Sequence, residues 1–375
     1  MNYSFIFTYK LINIPSFPFL MIHTLTKSNY LKGLQCPKYL WTLYHNKKSL
    51  PEPTLADKFK MDQGTTIGEL ATKLYPKGIQ VPFNSFKENL TQSQELLKQQ
   101  NPLFEAGFLY NNCFSRADIL EPNKNNTWDI IEVKSGTKVK EENVHDVSFQ
   151  KYCYEKAGIK INKCYILHLN KDYTKKGNIN LQKLFTKTDI TKEVNKAIVG
   201  IEERIKTMFK IINAKTIPKI KIGTHNDKLT DCPINSCWNF LPEHHVFHLY
   251  RGGKKSQELL KKHVHALEDI PDDYKLTNNQ EIQKNCAKQK KVFIQKEKIQ
   301  KFLQTLKYPL YYLDFETYQT ALPQFEGQKP YAQIPFQYSL HIQQKEEIKN
   351  FLKTLQYPLY YLDFETYQTA LPQFE

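Results

Sequence analysis

Three apolar runs separated by short polar turns predict neighbouring β-strands in the first half of the chain. They are "FEAGFLY" (104–110), "CFSRADIL" (113–120) and "TWDIIEVKS" (127–135), and the segments between them, "NN" and "EPNKNN", are typical turn formers. This arrangement indicates a β-meander. A further apolar run, "KCYILHL" (163–169), predicts a buried strand.

Segments with the spacing of helices lie before and after these strands. Apolar residues in 24–45 recur every three or four positions, and Thr26 or Ser28 can cap the first turn. Cys36-Pro37 interrupts the pattern, so two short helices are predicted. Further helices are predicted over 60–74, 91–100, 143–157 and 188–214. The order helices, three strands, helix, strand, helix predicts an α/β fold with a mixed sheet flanked by helices.

The 375 residues are enough for one large domain and a smaller one. We predict an N-terminal extension (1–22), a main α/β domain (23–250), a charged helical linker (251–294) and a C-terminal fragment (295–375). The first 22 residues are apolar, but Lys10, Pro15 and Pro18 interrupt them and no small-residue cleavage site follows. We therefore expect neither a membrane span nor a secretory signal, and Met21 is a candidate natural start.

The charge balance points to an acidic partner. The formal net charge is +15, and among 53 basic residues only Arg116, Arg204 and Arg251 are arginine. Nucleic acid is the commonest partner of such a surface, although an AT-rich coding bias can supply much of the lysine. Seven cysteines, an odd number, without a secretory signal favour a reducing compartment, and we expect a cytoplasmic protein.

The segment "WDIIEVKSG" (128–136) carries candidate chemistry. In a strand, Glu132 and Lys134 point to the same face while Val133 points to the other. Asp118, at the end of the preceding strand, can lie beside Glu132 on that face. Two carboxylates suit Mg²⁺ or Mn²⁺, and a lysine adds positive charge where a phosphoryl transition state gathers negative charge. Alone, however, this tripeptide is more typical of a solvated strand face than of an active site.

Two further features narrow the interpretation. The segment "FQKYCYEKAG" sets Gln150 and Tyr154 on one face of the next helix, and a Cys-Pro pair follows the N-terminal helix. In this order the pattern resembles the RecB-like nucleases of the PD-(D/E)xK superfamily, especially the CRISPR-associated branch that carries an iron–sulfur cluster. The resemblance spans roughly residues 24–240. The matching residues are Cys36, Pro37, Asp118, Glu132, Lys134, Gln150 and Tyr154.

The resemblance implies a restriction-endonuclease-like core and metal-dependent cleavage of DNA phosphodiesters. Asp118 and Glu132 would bind the metal, and Lys134, Gln150 and Tyr154 would complete the catalytic set. One departure concerns a metal-binding histidine that the family often carries on a helix after a Gly-Thr. Here "QGTTIGELA" has Gly68 at that point, with Glu69 beside it as a substitute carboxylate. Glu105 is a weaker candidate.

The cysteines form a second set. In the iron–sulfur branch, one N-terminal cysteine joins three near the end of the nuclease domain, and four thiolates are the usual ligands of such a cluster. Cys36, Cys232 and Cys237 match three of these positions, and His225 is a candidate for the fourth. A 4Fe-4S cluster, a zinc ion and purely structural thiols all remain open. The other cysteines, Cys113, Cys153, Cys164 and Cys286, are expected to be incidental.

The C-terminal part contains a near-identical duplication. The segment "FLQTLKYPLYYLDFETYQTALPQFE" (302–326) recurs as "FLKTLQYPLYYLDFETYQTALPQFE" (351–375). Asp314 and Glu316 resemble the first motif of DEDD-type exonucleases, which have an RNase H-like fold. Because later acidic motifs do not follow, we expect an incomplete, duplicated fragment in which neither this pair nor its copy, Asp363 and Glu365, is catalytic.

Together these features predict a metal-dependent DNA nuclease that acts in DNA processing, repair or defence. Two alternatives stay open. The first is a non-catalytic DNA-binding module that retains the nuclease fold, and the second is a degraded gene product. We expect DNA as the partner and no membrane association, while the sequence does not identify protein partners.

Overall fold

The computed structural model describes residues 23–220 and 232–344. Its strands are β1 (Leu25–Thr26), β2 (Ile79–Gln80), β3 (Leu103–Tyr110), β4 (Cys113–Asn123), β5 (Thr127–Lys134), β6 (Ile161–Leu169), β7 (Phe185–Asp189), β8 (Leu310–Gln319) and β9 (Gln333–Gln343). Its helices are α1 (Lys27–Gln35), α2 (Pro37–His45), α3 (Leu55–Thr72), α4 (Phe86–Leu96), α5 (Glu141–Lys156), α6 (Leu181–Leu184), α7 (Thr191–Ala197), α8 (Ile201–Ile212), α9 (Lys254–Lys261), α10 (Asn278–Gln289) and α11 (Lys296–Thr305).

Strands β1 to β7 form one mixed sheet. The order across it is β2-β3-β4-β5-β6-β7, and β1 pairs with β4. The meander β3-β4-β5 is antiparallel, as the sequence predicts, and β5 pairs in parallel with β6 after the crossover through α5. The mixed α/β architecture predicted from the order of elements is therefore confirmed, whereas the RNase H-like interpretation of the C-terminal part stays a prediction.

Apolar side chains cover both faces of this sheet. On β5, Ile130 belongs to a core cluster that includes Leu40, Phe149 and Met208 of the surrounding helices. The next residue, Ile131, belongs to a second cluster with Ile67 of α3. Successive residues of the strand thus face opposite layers, which accounts for its nearly continuous apolar sequence.

Most predicted elements are present with shifted boundaries. The break between α1 and α2 falls at Cys36, as predicted. Helix α3 begins earlier than expected because Thr54 and Asp57 form a capping box. Helix α4 likewise begins early, behind the N-cap Ser85.

The single long helix predicted over 188–214 is wrong. Strand β7 ends at Asp189, whose side chain accepts a hydrogen bond of 3.0 Å from the Thr191 backbone N–H. Helices α7 and α8 follow, separated by Gly200 with a φ of 72°. Glycine adopts this left-handed conformation without the strain of a side chain, so the helix stops there.

Residues 232–344 contain two further structured regions. Residues 246–276 surround a small apolar cluster formed by Val246, Leu249, Leu259, Leu260, Leu267 and Ile270. The range predicted as a charged linker thus contributes side chains to a core of its own. Strands β8 and β9 form a separate two-stranded antiparallel sheet. The extension 1–22 lies outside the described residues.

The segment between β8 and β9 contacts α3 and the residue that follows β5. The backbone N–H of Ala321 hydrogen-bonds to the Gln63 side chain on α3, and Tyr331 Oη donates to the Ser135 carbonyl at 3.0 Å. No helix in the described ranges is long and apolar enough to cross a membrane.

Candidate functional site

A cluster of charged side chains lies where β4 and β5 separate. Their backbone pairing runs from Asn123↔Thr127 to Ile119↔Ile131. Beyond that point, Asp118 Oδ2 accepts a hydrogen bond of 2.7 Å from the Val133 backbone N–H. The Asp118 side chain thus takes a place in the ladder that a main-chain carbonyl normally fills, which fixes its carboxyl group beside β5.

Glu132 lies at the centre of the cluster. Its side chain is only 2 % exposed. Oε1 accepts hydrogen bonds from Lys134 Nζ at 2.7 Å and Lys27 Nζ at 2.8 Å. Oε2 accepts from Gln150 Nε2 at 2.7 Å and again from Lys27 Nζ at 3.0 Å. A carboxylate offers about four lone-pair sites, so these four contacts use the acceptor capacity of Glu132.

Asp146 is a member of the cluster that the sequence interpretation missed. It lies on α5, its side chain is 5 % exposed, and it accepts from Lys134 Nζ at 2.8 Å and from Gln150 Nε2 at 3.1 Å. The available signal was its position four residues before Gln150, which sets both on one helix face. Asp146 therefore holds Lys134 against Glu132.

Lys27 is the second member that was missed. It is the first residue of α1, and the side chain of the N-cap Thr26 accepts from the Asn29 backbone N–H at 3.3 Å. The pairing of β1 with the start of β4 carries it to the sheet, where its ammonium also lies 3.8 Å from Asp118 Oδ1. Glu132 is 105 residues away in sequence, and no local pattern reports such a contact.

The charges in this cluster shift one another's pKa values in opposite directions. Burial, followed by the negative charge of Glu132, raises the pKa of Asp118 to about 7. Burial also acts to raise the pKa of Glu132, but the ammonium groups of Lys134 and Lys27 outweigh it and lower that pKa. For Lys27 and Lys134, burial acts to lower the pKa, but the neighbouring carboxylates outweigh it. The pKa of each lysine is therefore raised above its usual value. Both lysines therefore stay protonated at neutral pH.

Tyr154 does not contact the carboxylates. Its hydroxyl donates to the Ala106 carbonyl at 2.5 Å and accepts from the Ala117 backbone N–H at 2.7 Å. The side chain is fully buried and bridges β3 and β4. Gln150, one turn earlier, reaches the cluster, whereas Tyr154 supports the sheet beneath it.

Two cavities border the cluster. One, of about 540 Å³, lies between α3 and the strands, and Gly68, Glu69, Asp118, Glu132 and Lys134 are among its lining residues. The predicted Glu69 therefore faces this cavity from an exposed position on α3.

Glu105, the weaker candidate, lines the same cavity but is ion-paired with Arg116 at 3.1 Å.

The second cavity, of about 820 Å³, lies between α1 and α5, and Lys27, Lys32, Lys134 and Asp146 are among its lining residues.

The donor set suits a hard divalent cation by its chemistry. Asp118 and Glu132 offer oxygen ligands of the type that Mg²⁺ and Mn²⁺ prefer. The buried carboxamide oxygen of Gln150 has no hydrogen-bond partner among the described residues. Within the same residues, however, no group of three or more His, Cys, Asp or Glu side chains is arranged to hold a metal ion. The ammonium of Lys27 occupies the space between the two carboxylates instead.

The three predicted cysteines converge although about two hundred residues separate them. Mainly because Cys232 hydrogen-bonds to it, the Cys36 thiol has a pKa lowered to about 7. Burial raises the pKa of Cys237, whose Sγ lies 3.9 Å from Lys38 Nζ. The predicted proximity is confirmed, while a bound cluster or zinc ion stays a prediction. His225 lies outside the described residues.

The remaining predicted positions differ in their surroundings. Cys113, Cys153 and Cys164 are buried and Cys286 is half-buried, and all are free thiols. On β8, Asp314 is exposed and Glu316 is half-buried. Asp363 and Glu365 lie outside the described residues.

Comparison with known proteins leaves the family of this chain open. A family described as "Domain of unknown function (DUF2779)" matches residues 311–357. No curated protein matches. Several solved structures match this chain, two of which are described here. The first, described as the crystal structure of SSO0001, has 13% identity over 51% of this chain and 79% of that chain, with a TM-score of 0.25. The second, an alkaline exonuclease (LHK-Exo) from Laribacter hongkongensis, has 11% identity over 50% of this chain and 93% of that chain, also with a TM-score of 0.25. At such TM-scores neither likeness identifies a function.

Proposed function

We propose that this chain is a DNA nuclease that uses Mg²⁺ or Mn²⁺ to hydrolyse phosphodiester bonds, with the site arrangement of the RecB-like PD-(D/E)xK enzymes. The observation that carries the proposal is the meeting of Asp118, Glu132 and Lys134 at the point where two strands separate, with Gln150 bonded to Glu132 at 2.7 Å. Asp118, Glu132 and Lys134 border a cavity, where a DNA backbone can approach them.

Each residue has a role that follows from its contacts. Asp118 and Glu132 would hold the cation, which when bound polarises the phosphate and supplies an activated water. Lys134 keeps its proton because the carboxylates raise its pKa, so it acts as a positive charge beside the reacting phosphate and not as a base. Asp146 and Gln150 are positioning residues, since the first holds Lys134 and the second holds Glu132.

A cleavage assay on end-labelled single- and double-stranded DNA with Mg²⁺ or Mn²⁺ tests this proposal. Glu132→Gln should reduce the rate by at least about 10²–10³-fold, the usual effect of removing one preorganised electrostatic group. Glu121→Gln is the matched control, because Glu121 is a more exposed acid on β4 that pairs with Lys187. Its rate should stay within about two-fold of the unsubstituted chain, as expected for a surface change. Full cleavage by Glu132→Gln would overturn the assignment.

A second candidate is a DNA-binding module without catalysis. The observation that favours it is the saturation of Glu132 by ammonium and amide donors, together with a glycine at position 68, where the resembling family often has a histidine. Such a module would bind DNA with salt-dependent affinity but leave it intact with either metal. Binding measured by fluorescence anisotropy, in parallel with the cleavage assay, separates the two functions.

A further inference from the structure

The Lys27 ammonium lies between the two carboxylates of the candidate site. Its ammonium lies 2.8 Å and 3.0 Å from the two oxygens of Glu132 and 3.8 Å from Asp118 Oδ1. It therefore bridges the two carboxylates between which the proposed divalent cation would bind. One positive group already neutralises these acids from within the chain.

Glu132 has no free acceptor site for a metal ion while all its present donors are bound. Its two oxygens already take four hydrogen bonds, from Lys27, Lys134 and Gln150. A cation that binds Glu132 needs at least one of these lone-pair sites, so at least one donor has to leave.

Lys27 is the donor that can leave with the least disruption. Lys134 and Gln150 each make a second hydrogen bond to Asp146, at 2.8 Å and 3.1 Å, so two carboxylates hold each of them. Lys27 makes hydrogen bonds to Glu132, and its 3.8 Å separation from Asp118 is too long for one.

The side chain of Lys27 also has space into which it can move. Its backbone is fixed at the start of α1, where β1 pairs with β4, but its side chain is long and 23 % exposed. The side chain lines the cavity of about 820 Å³ between α1 and α5. Its ammonium can therefore move into this cavity without displacing a packed element.

We propose that Lys27 is an internal competitor of the divalent cation: its ammonium fills the space between Asp118 and Glu132 and has to leave before a metal ion binds there. The proposal rests on the metal-dependent function proposed above, and it concerns binding alone. It predicts that the unsubstituted chain binds Mn²⁺ weakly in the absence of DNA, because every binding event breaks the Lys27 ion pair.

The test measures Mn²⁺ affinity of the full chain by titration calorimetry, with the free ion followed by electron paramagnetic resonance. Lys27→Met removes the charge and keeps the length of the side chain. It should bind Mn²⁺ at least about ten-fold more tightly than the unsubstituted chain, the lower end of what a close buried charge pair contributes. Lys32→Met is the matched control on the same helix, since Lys32 lines the same cavity but its ammonium lies over the Tyr39 ring. Its affinity should be unchanged.

A second variant controls for the possibility that Lys27→Met does not fold. Lys27→Gln keeps a hydrogen-bond donor beside Glu132 without the charge, and circular dichroism reports whether each variant is folded. It too should bind Mn²⁺ more tightly, and adding Glu132→Gln to it should abolish the gain. Mn²⁺ should also raise the melting temperature of both Lys27 variants more than that of the unsubstituted chain, because only the tighter site gains this much ligand stabilisation.

Unchanged or weaker Mn²⁺ binding by folded Lys27→Met and Lys27→Gln overturns the inference. If the unsubstituted chain nevertheless cleaves DNA with Mn²⁺, the proposed function stands without it. If both variants bind Mn²⁺ more tightly and no variant cleaves DNA, the inference stands and the nuclease assignment fails.

Discussion

Two acidic pairs in this chain look alike in sequence and differ in their surroundings. In the main sheet, Glu132 is 2 % exposed, and Asp118 accepts a backbone hydrogen bond beside it. On β8, Asp314 is exposed, Glu316 is half-buried, and Asp314 Oδ1 accepts from the backbone N–H of the next residue, Phe315, at 2.8 Å. The first pair is held by groups from other elements, whereas Asp314 bonds within its own strand.

The supporting layers explain this difference. Helices α1 and α5 cover the Glu132 side of β5, and they supply Lys27, Asp146 and Gln150. Strand β8 pairs only with β9 in the described ranges, and large apolar side chains such as Tyr311, Leu313 and Tyr338 are more than half exposed. An isolated two-stranded sheet is marginally stable in water. Two acids on a strand therefore become a candidate site only when a packed layer fixes and desolvates them.

The largest predicted difference between the two pairs is catalytic. Lys134→Met should reduce metal-dependent DNA cleavage by about 10²–10³-fold, because it removes the protonated amine beside the reacting phosphate. The double variant Asp314→Asn/Glu316→Gln should cleave within about two-fold of the unsubstituted chain, as expected for changes outside a site. Single-turnover rates on labelled DNA check both. A loss of cleavage in the double variant, with the chain still folded, would show that the C-terminal pair takes part.

A smaller difference is expected in stability. Tyr154→Phe removes the hydroxyl that joins β3 to β4 and leaves buried backbone groups without a partner. We expect a loss of about 1–3 kcal/mol in the free energy of unfolding. Tyr312→Phe removes an exposed hydroxyl that bonds the Gln343 side chain at 3.1 Å, and it should change stability by less than about 0.5 kcal/mol. Urea denaturation followed by circular dichroism measures both. Equal losses would contradict the assignment of Tyr154 as a support of the sheet.

The smallest predicted effect concerns pH. The pKa of Asp118 rises from 3.8 to about 7 on folding, so the folded chain keeps a proton that the unfolded chain releases in this window. Stability contributed by this group is therefore lost as pH rises from about 4 to 7. Asp118→Asn cannot ionise and escapes this loss.

The Asp118→Asn melting temperature should exceed that of the unsubstituted chain by about 3 °C or more at pH 8, the shift expected for roughly 1 kcal/mol, and by less at pH 5. Differential scanning fluorimetry at both pH values measures this shift. Asp314→Asn, an exposed change, is the control and should not alter the melting temperature. An Asp118→Asn difference that grows as pH falls would contradict the pKa argument.

Local patterns predicted the parts of the fold and site that depend on neighbours in sequence. The spacing of Glu132 and Lys134 follows from the two-residue period of a strand, and the helix break at Cys36 follows from the proline after it. The proximity of Asp118 to Glu132 follows from the meander.

Contacts that depend on packing were not predictable in this way. Lys27 reaches Glu132 because β1 pairs with β4, and Asp146 reaches Lys134 because α5 lies against the sheet. A strand of only two residues, such as β1, leaves no periodic signal in the sequence, and the docking of a helix on a sheet leaves none either. Strand β7, which pairs with β6, was not predicted either, and the helix predicted over 188–214 overlaps only its last two residues.

The parallel pairing of β1 with β4 has a consequence for the order of assembly during synthesis. The charged cluster uses residues from Lys27 to Gln150, so the ribosome has delivered all of it before β8 is made. Within that stretch, β1 is synthesised first but has no partner until β4 has emerged, and closing this long loop is slower than forming the adjacent hairpins. The meander and its acids can therefore form first, with Lys27 arriving late to neutralise them.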